Sequence, residues 1–307
     1  MNAHFDDTLV VVPTYNGLHD LSRLIGSLPL DAINLYVIDS SSTDGTASYL
    51  QGAGIDHSII PQREFNHGAT RQKAIHDRPG YRYYIFLTQD AYLAEPDAIA
   101  RLLAPFTDSQ VGAVCGRQLP HLDANPLASH ARHFNYPATS RTKSMADVAE
   151  LGIKTAFMSN SFAAYRATAL EAVGGFPSHV ILAEDMYVAA KMLQQGWKVA
   201  YAGDACCHHS HDYTAQQEFK RYFDIGVFHA EEDWIRQAFG GAGGEGQRYV
   251  RSELRYLGWQ RCHWWPTSFL ANACKLVGYK LGQQHRRLPE RVRKSLSMHK
   301  GYWRTAQ

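Results

Sequence analysis

The stretch Tyr83-Tyr-Ile-Phe-Leu-Thr-Gln-Asp-Ala91 is an apolar run that ends abruptly in Asp90. A short β-rich run followed by a polar break is typical of a buried strand in a parallel sheet. The carboxyl ends of such strands form the edge at which α/β sheets hold their ligands. We therefore expect Asp90 to face a ligand site.

Runs of the same form surround this stretch. The segments 8–16 and 34–39 read as strands with a helix between them, which predicts a right-handed βαβ unit. Shorter strands are predicted at 57–60 and 111–117, with a helix starting near Pro96. This alternation predicts an α/β fold whose mostly parallel, twisted, Rossmann-like sheet is flanked by helices.

Composition limits the class of protein. A chain of 307 residues that is 45% hydrophobic can bury one large domain, or a domain plus a smaller lobe. The five cysteines are odd in number and form no Cys-x-x-Cys motif, so a disulfide framework is not indicated. Apolar stretches are too short to span a bilayer, and the chain start lacks a signal-peptide layout. We expect a cytoplasmic protein.

Charge is distributed unevenly along the chain. Residues 259–307 carry 10 basic side chains and one acidic one, whereas the residues before them carry 21 basic and 28 acidic side chains. Tryptophans and an apolar stripe at helical spacing accompany the basic cluster, which favours a helical C-terminal extension on an anionic membrane surface. A packed helical appendage or a subunit interface explains the same pattern. The acidic body and the absence of a recognition motif argue against nucleic acid.

Three further features have both a structural and a functional reading. The stretch 40–46 has helix-capping chemistry that could also receive an anion. Gly68 permits close backbone approach, and Arg71 near the start of a helix suits a phosphate unless it is simply solvated. The pair Glu184-Asp185 could merely complement a helix dipole.

Four motifs, in order and spacing, resemble the inverting family-2 glycosyltransferases of the GT-A fold: Val12-Pro-Thr-Tyr-Asn16, Ile38-Asp-Ser-Ser-Ser-Thr-Asp-Gly-Thr46, Phe86-Leu-Thr-Gln-Asp-Ala91 and Ala183-Glu-Asp-Met186. Within that family, further strings resemble the bacterial rhamnosyltransferase branch, which builds O-antigen and lipopolysaccharide core. These strings are 65–71, 116–120 (Gly-Arg-Gln-Leu-Pro), 159–161 and 209–211.

The resemblance implies a nucleotide-sugar site. Its expected members fall into three groups: Pro13, Tyr15 and Asp39 for base and ribose; Asp44 and Arg71 for ribose and diphosphate; Gly68, Gln89, Asp90, Ser159 and Asn160 elsewhere around the donor. For Ser159 and Asn160, placed here in a buried strand at 152–165, satisfaction by backbone groups is the alternative.

The resemblance also implies a divalent cation, Mg²⁺ or Mn²⁺. Asp90 aligns with the last aspartate of the family's Asp-x-Asp motif, whose first position here is Thr88, so a single carboxylate should bind metal weakly without nucleotide. His209 or His211 is expected to complete the coordination or to donate to the diphosphate; packing and acceptor contact are alternatives. Adjacent His208 and His209 argue against a zinc site.

For catalysis the resemblance assigns Asp185 as the base and Glu184 as the group that orients it or the acceptor. A sugar hydroxyl needs such a base, and displacement from the opposite face inverts configuration without a protein nucleophile. Lys220 and Arg221, on a predicted amphipathic helix at 214–228, would contact phosphates of donor or lipid carrier, or only water. Asp90 and Asp185 should therefore converge on one sugar carbon.

The expected activity is transfer of L-rhamnose from dTDP-L-rhamnose to a hydroxyl of a bacterial cell-surface glycan. A family-2 transferase of a different nucleotide sugar, or a non-catalytic scaffold that keeps the fold, is the alternative. The expected domains are a catalytic domain at 1–238, with a nucleotide-binding half at about 1–120 and an acceptor half at about 121–238, and a C-terminal region at 239–307. That region starts with a glycine-rich connection at 240–246.

Overall fold

The computed structural model describes residues 5–241 and 244–305. Within these residues nine strands join into one sheet: β1 (Thr8–Thr14), β2 (Asn34–Asp39), β3 (His57–Ile59), β4 (Tyr83–Leu87), β5 (Tyr92–Leu93), β6 (Val111–Leu119), β7 (Arg141–Lys143), β8 (Phe162–Arg166) and β9 (Lys198–His208). The strand order is β3-β2-β1-β4-β8-β6-β9-β5, and β7 pairs with β9.

Strand direction determines where the loops meet. Strands β1 to β4, β6 and β9 run one way, while β5, β7 and β8 run the other. The mostly parallel α/β sheet is confirmed. The carboxyl ends of β1, β2, β4, β6 and β9 therefore lie along the same edge as the amino end of β8, and we call this edge the site edge.

The helices flank the sheet and continue beyond it. They are α1 (Leu18–Ser27), α2 (Thr46–Gly52), α3 (His67–Asp77), α4 (Ala98–Leu103), α5 (Pro126–Asn135), α6 (Val148–Leu151), α7 (Ala167–Ala172), α8 (Glu184–Gln194), α9 (Ala215–Glu231), α10 (Asp233–Phe239), α11 (Glu245–Leu257), α12 (Trp265–Gln283), α13 (Glu290–Leu296) and α14 (Tyr302–Thr305).

The core lies on both faces of the sheet. Alternate residues of β1 pack into separate clusters, with Leu9 and Val11 on one face and Val10 and Val12 on the other. Strand β4 does the same, and every one of its residues is buried. Covering both faces explains why these strands are continuous apolar runs rather than alternating ones.

One local prediction was wrong. Ser159 and Asn160 were expected inside a strand, but a 3₁₀ helix covers Gly152–Ala156 and β8 begins only at Phe162. The N–H of Asn160 donates to Asp185 at 2.9 Å instead of to a neighbouring strand. This hydrogen bond does not belong to the pairing of the sheet. Ser159 and Asn160 therefore lie in the turn that precedes β8.

Helix α12 of the C-terminal region packs on helix α9. Helix α12 crosses α9 at Gly226, Gly278 and Gly282, and a Cβ on any of the three would overlap backbone of the other helix. The alternative of a packed helical appendage is thus present, and its contact is with α9. Of the glycine-rich connection, residues 242–243 lie outside the described residues, and α11 begins at Glu245. The domain division stays a prediction.

Much of the C-terminal charge is engaged within the chain. Arg286 pairs with Glu231 at 2.8 Å, Lys294 pairs with Glu290, and Arg293 lies over the ring of Trp303. Arg287 and Arg291 are exposed. None of the helices described is both long enough and apolar enough to cross a bilayer.

Candidate active site

A carboxylate and two imidazoles meet at the site edge. Asp90 follows β4, and His209 and His211 follow β9. Nε2 of His209 lies 3.4 Å and Nδ1 of His211 lies 3.6 Å from the Asp90 carboxylate. One donor atom from each of the three lies within 4.8 Å of the others, a spacing that one cation could bridge. The structure thus places both candidate histidines beside Asp90.

The charges within this cluster favour an ionised carboxylate. Burial opposes ionisation, but the electrostatic environment provided by the imidazoles of His209 and His211 holds the pKa of Asp90 well below its usual range. Burial and the neighbouring His209 lower the pKa of His211 to about 3, so this imidazole is neutral. An anionic oxygen and neutral nitrogens are the forms in which these side chains bind metals.

The neighbouring residues Cys206, Cys207 and His208 do not join this cluster. Nδ1 of His208 is bonded to the carbonyl oxygen of Pro120 at 2.7 Å, and the imidazole stacks on Tyr92. Cys206 and Cys207 are not part of any possible metal group among the described residues. The adjacent residues of 206–209 therefore do not form one zinc site.

Glu184 and Asp185 open helix α8 on the same edge. The preceding residue, Ala183, has a φ of 59°, a left-handed conformation that is unusual for alanine. The two carboxylates then occupy the first turn, where the N–H of Met186 donates to Asp185 at 2.7 Å. Backbone strain next to paired acids is common at functional sites.

The environments of the two acids push their pKa values apart. Burial opposes ionisation of Glu184, but Arg71 at 3.0 Å and the charge of His67 lower its pKa. Burial and the negative charge of Glu184 raise the pKa of Asp185 to about 7. Separated pKa values are how paired carboxylates acquire different roles. A carboxylate near pKa 7 suits a general base.

Asn160 holds the acid pair in place. Its Nδ2 donates to Glu184 at 2.9 Å, its N–H donates to Asp185, and its Oδ1 accepts from the hydroxyl of Tyr165 at 2.8 Å. Asn160 is therefore satisfied by side chains, not by the backbone as the structural alternative supposed. Asn160 thus acts on both acids directly, and a contact with the donor sugar stays a prediction.

A path of contacts joins the cluster of Asp90, His209 and His211 to the acid pair. His209 Nδ1 lies 2.9 Å from Oε1 of Gln118, whose Nε2 donates to the hydroxyl of Ser159 at 2.8 Å. Ser159 precedes Asn160, which bonds both acids. Asp90 and Asp185, 95 positions apart in the sequence, thus lie on one continuous network at the site edge.

The loops after β1 and β2 form the neighbouring part of the edge. Strand ends are adjacent because Thr14 pairs with Asp39. The carboxylate of Asp44 accepts the N–H of Leu18 at 2.9 Å, and Asn16 Oδ1 accepts the N–H of Thr43 at 2.8 Å. These bonds preorganise the two loops that carry the predicted nucleotide contacts.

Three residues predicted to contact the nucleotide sugar already contact other parts of the protein. Asp39 is fully buried, and its oxygens accept the N–H and hydroxyl of Ser42. Gln89 accepts from Tyr15 N–H at 2.8 Å, so it anchors the loop that carries half-buried Pro13 and the 40% exposed Tyr15. A Cβ on Gly68 would strike the carbonyl oxygen of Pro177, so its close approach is to protein backbone. Their contacts with a nucleotide stay predictions.

Arg71 and Arg221 have different surroundings, and their predicted contacts with phosphates stay predictions. Arg71 is 3% exposed and paired with Glu184, so its guanidinium serves the acid pair. Arg221 has no carboxylate within ion-pair distance among the described residues; it lies over the ring of Tyr213, and its charge acts on His211. Lys220, half-buried on α9, likewise lacks an ion-pair partner there. Arg221 is therefore better placed than Arg71 to bind a further anion.

Sequence reasoning missed two contributions to the site. Gln118 belongs to the quoted string 116–120, which was given no role. His299 reaches the site from the C-terminal region, 3.4 Å from His67 at the start of α3, and its N–H and that of Met298 donate to Asp224. The resemblance of the string 116–120 to the rhamnosyltransferase branch is the one sequence feature that could have indicated Gln118. No local sequence pattern indicates His299.

Comparisons with known proteins agree with this geometry. The family model "Glycosyl transferase family 2" matches residues 9–174. The O-antigen chain rhamnosyltransferase WbaN of Salmonella anatum is 48% identical over 302 residues, covering 97% of this chain and 96% of that protein. RfbN of Salmonella typhimurium, an O-antigen chain rhamnosyltransferase, is 50% identical over 304 residues with coverage of 97% and 96%.

Solved structures share the fold. The mannosyltransferase PcManGT of Pyrobaculum calidifontis, in complex with GDP-Man and Mn²⁺, superimposes with a TM-score of 0.58 at 19% identity, over 97% of this chain and 84% of that one. Residues 1–349 of S. aureus TarS with UDP give a TM-score of 0.51 at 15% identity, with 91% of each chain covered. By its family match and its near-full-length relatives, the chain belongs to glycosyltransferase family 2 and has the expected GT-A fold.

Proposed function

We propose that this glycosyltransferase moves L-rhamnose from dTDP-L-rhamnose to a hydroxyl of an O-antigen glycan, with inversion at the sugar carbon. The names of the two relatives that are about half identical support the sugar and the glycan. The observation that carries the chemistry is the pKa of Asp185, which is raised to about 7. Asp185 is also held by Asn160, on the path of contacts that leads to the cluster of Asp90, His209 and His211.

Asp185 is the proposed base. It accepts the proton of the acceptor hydroxyl as that oxygen attacks the anomeric carbon, and the bond to the nucleoside diphosphate breaks on the opposite face. Glu184, kept ionised by Arg71, maintains the high pKa of Asp185, and Asn160 fixes the orientation of both. Arg221, unpaired and near His211, is suited to a phosphate of the donor or acceptor.

The cluster fits a divalent cation. Asp90, His209 and His211 would hold it, and when bound it supplies Lewis-acid neutralisation of the leaving diphosphate. Two imidazoles are poor partners for Mg²⁺, which prefers oxygen ligands, so we propose Mn²⁺ as the preferred ion. Thr88 in place of a second carboxylate is offset by the second histidine.

A donor panel tests this proposal. The purified chain is mixed with dTDP-L-rhamnose, UDP- and GDP-sugars in the presence of Mn²⁺, and thermal unfolding and product mass are measured. We expect dTDP-L-rhamnose alone to raise the unfolding temperature and to yield a product 146 Da heavier than an O-antigen acceptor, a mass that follows from adding one deoxyhexose with loss of the nucleotide. Selective stabilisation by another donor would reassign the sugar. Absence of nucleotide release with every donor would favour the scaffold.

We also propose that the outer face of α12 rests on an anionic membrane surface. Four large apolar side chains on it are exposed: Phe269 (54%), Leu270 (57%), Leu276 (61%) and Val277 (50%). Trp259, before the helix, is 82% exposed, and exposed Lys280 lies near its end. An apolar stripe with tryptophan and basic residues around it suits the plane of a bilayer with anionic headgroups.

Vesicle co-sedimentation of Phe269→Ser/Leu276→Ser tests the membrane proposal. Both side chains are exposed, so the fold should persist, whereas deletion of 285–307 would remove buried Trp303 and the contacts of His299. Wild type should sediment with phosphatidylglycerol vesicles and the variant much less, while neutral vesicles bind both weakly. Equal sedimentation of both forms, or a wild-type dimer that the double substitution dissociates, would refute the membrane role.

A further inference from the structure

Gln118 occupies a buried position between the two halves of the site. It lies near the end of β6, is 1% exposed, and makes three hydrogen bonds through its amide. Oε1 accepts from Arg132 and faces Nδ1 of His209 at 2.9 Å, and Nε2 donates to Ser159 at 2.8 Å. No step of the proposed reaction uses this amide.

The Arg132 contact determines which way the amide points. A guanidinium has only donors, so the Gln118 atom that faces it must be the oxygen. That same oxygen faces Nδ1 of His209, which must therefore carry a hydrogen. In the neutral imidazole the lone pair of His209 then lies on Nε2, the atom directed at Asp90.

We propose that Gln118, locked by Arg132, is a positioning residue that holds His209 in the tautomer whose Nε2 is free to bind the cation. Imidazole ligands of metals usually donate their other N–H to an outer partner, and loss of that partner typically weakens metal binding about 10–100-fold. In this protein the partner is the amide of Gln118, and the orientation of that amide depends on its hydrogen bond from Arg132.

The arrangement also couples the cluster to the acid pair. Nε2 of Gln118 supports Ser159, and the next residue bonds both Glu184 and Asp185. The oxygen of the Gln118 amide thus holds His209, a proposed metal ligand, and its nitrogen holds the turn at Ser159, next to the residue that bonds the proposed base Asp185. The inference rests on the proposed cation site, but the tautomer it predicts does not need the cation to be present.

Two pairs of variants test the inference. Gln118→Met removes the acceptor and Arg132→Met frees the amide to turn over, whereas Gln118→Glu and Arg132→Lys keep an acceptor and a donor in place. The His209 tautomer is read without metal from long-range ¹H–¹⁵N NMR spectra of the imidazoles, assigned with His209→Gln. Mn²⁺ binding is measured separately by electron paramagnetic resonance in the presence of dTDP, because metal binding without nucleotide is expected to be weak. Gln51→Met, at an exposed position on α2, is the matched control.

We expect Nδ1–H of His209 in wild type, Gln118→Glu, Arg132→Lys and the control. Both Met variants should lose this preference and bind Mn²⁺ about 10–100-fold more weakly. Retention of Nδ1–H and of Mn²⁺ affinity within twofold in Gln118→Met would overturn the inference. Weak Mn²⁺ binding by wild type even with dTDP, with the predicted tautomer changes intact, would refute the cation site and leave Gln118 only its control of the His209 tautomer.

Discussion

Asp185→Asn removes the proposed base and is expected to leave the surrounding structure in place. The carboxylate accepts N–H groups from Asn160 at 2.9 Å and from Met186 at 2.7 Å. Asparagine has nearly the same shape but only one acceptor oxygen, so one of these bonds is lost at a cost of about 1 kcal/mol. Removal of a negative charge beside Glu184 offsets part of that cost. The folded state should persist.

The expected loss of activity is much larger than the loss of stability. General base catalysis contributes about 10²–10⁴-fold, which corresponds to roughly 3–5 kcal/mol of transition-state stabilisation. Asp185 must be ionised to act, and its pKa is about 7. Wild-type kcat should therefore fall about tenfold per unit of pH below 7 and level off above it. The variant should lack this dependence.

The assay measures kcat from dTDP release over pH 5.5–8.5, dTDP affinity by calorimetry, and thermal unfolding. Glu171→Gln, an exposed acid on α7, is the matched control and should behave as wild type. A variant that retains more than a tenth of wild-type kcat, or keeps the same pH profile, would remove Asp185 from the role of base. Loss of dTDP affinity would indicate a donor contact instead.

Three further perturbations test other parts of the structure. Glu184→Gln removes the charge that helps raise the pKa of Asp185, so the midpoint of the pH–kcat profile should move to lower pH; an unchanged midpoint contradicts the coupling. Asp90→Asn should reduce Mn²⁺ affinity, measured by calorimetry, by more than about tenfold, and wild-type affinity would exclude Asp90 as a ligand. Gly278→Ala should destabilise by about 1–3 kcal/mol in urea unfolding because its Cβ meets backbone of α9, whereas Gly26→Ala in α1 meets nothing; equal effects would contradict the close helix crossing.

The strands at the site edge could be predicted from sequence because each is a local pattern. Apolar runs that end in polar residues identified β1, β2 and β4, and motif order placed Asp90 and Asp185 in one family site. Asn160 was misplaced, since the hydrogen bonds that hold its turn are made to the acids of α8, which lie outside its own segment. The ion pair of Arg71 with Glu184 was not predicted, because it joins two elements distant in the chain, and the expected phosphate contact of Arg71 stays a prediction.

By itself the sequence determined the parallel α/β sheet, the family and the carboxylates at its edge, because periodicity, strand ends and motif spacing are properties of short segments. Tertiary structure alone decided that both His209 and His211 face Asp90, that Gln118 stands between them and the acid pair, and that His299 returns from the C-terminal region to His67. These contacts join residues up to 232 positions apart. Their chemistry depends on burial and on charges supplied by other elements, which no local pattern encodes.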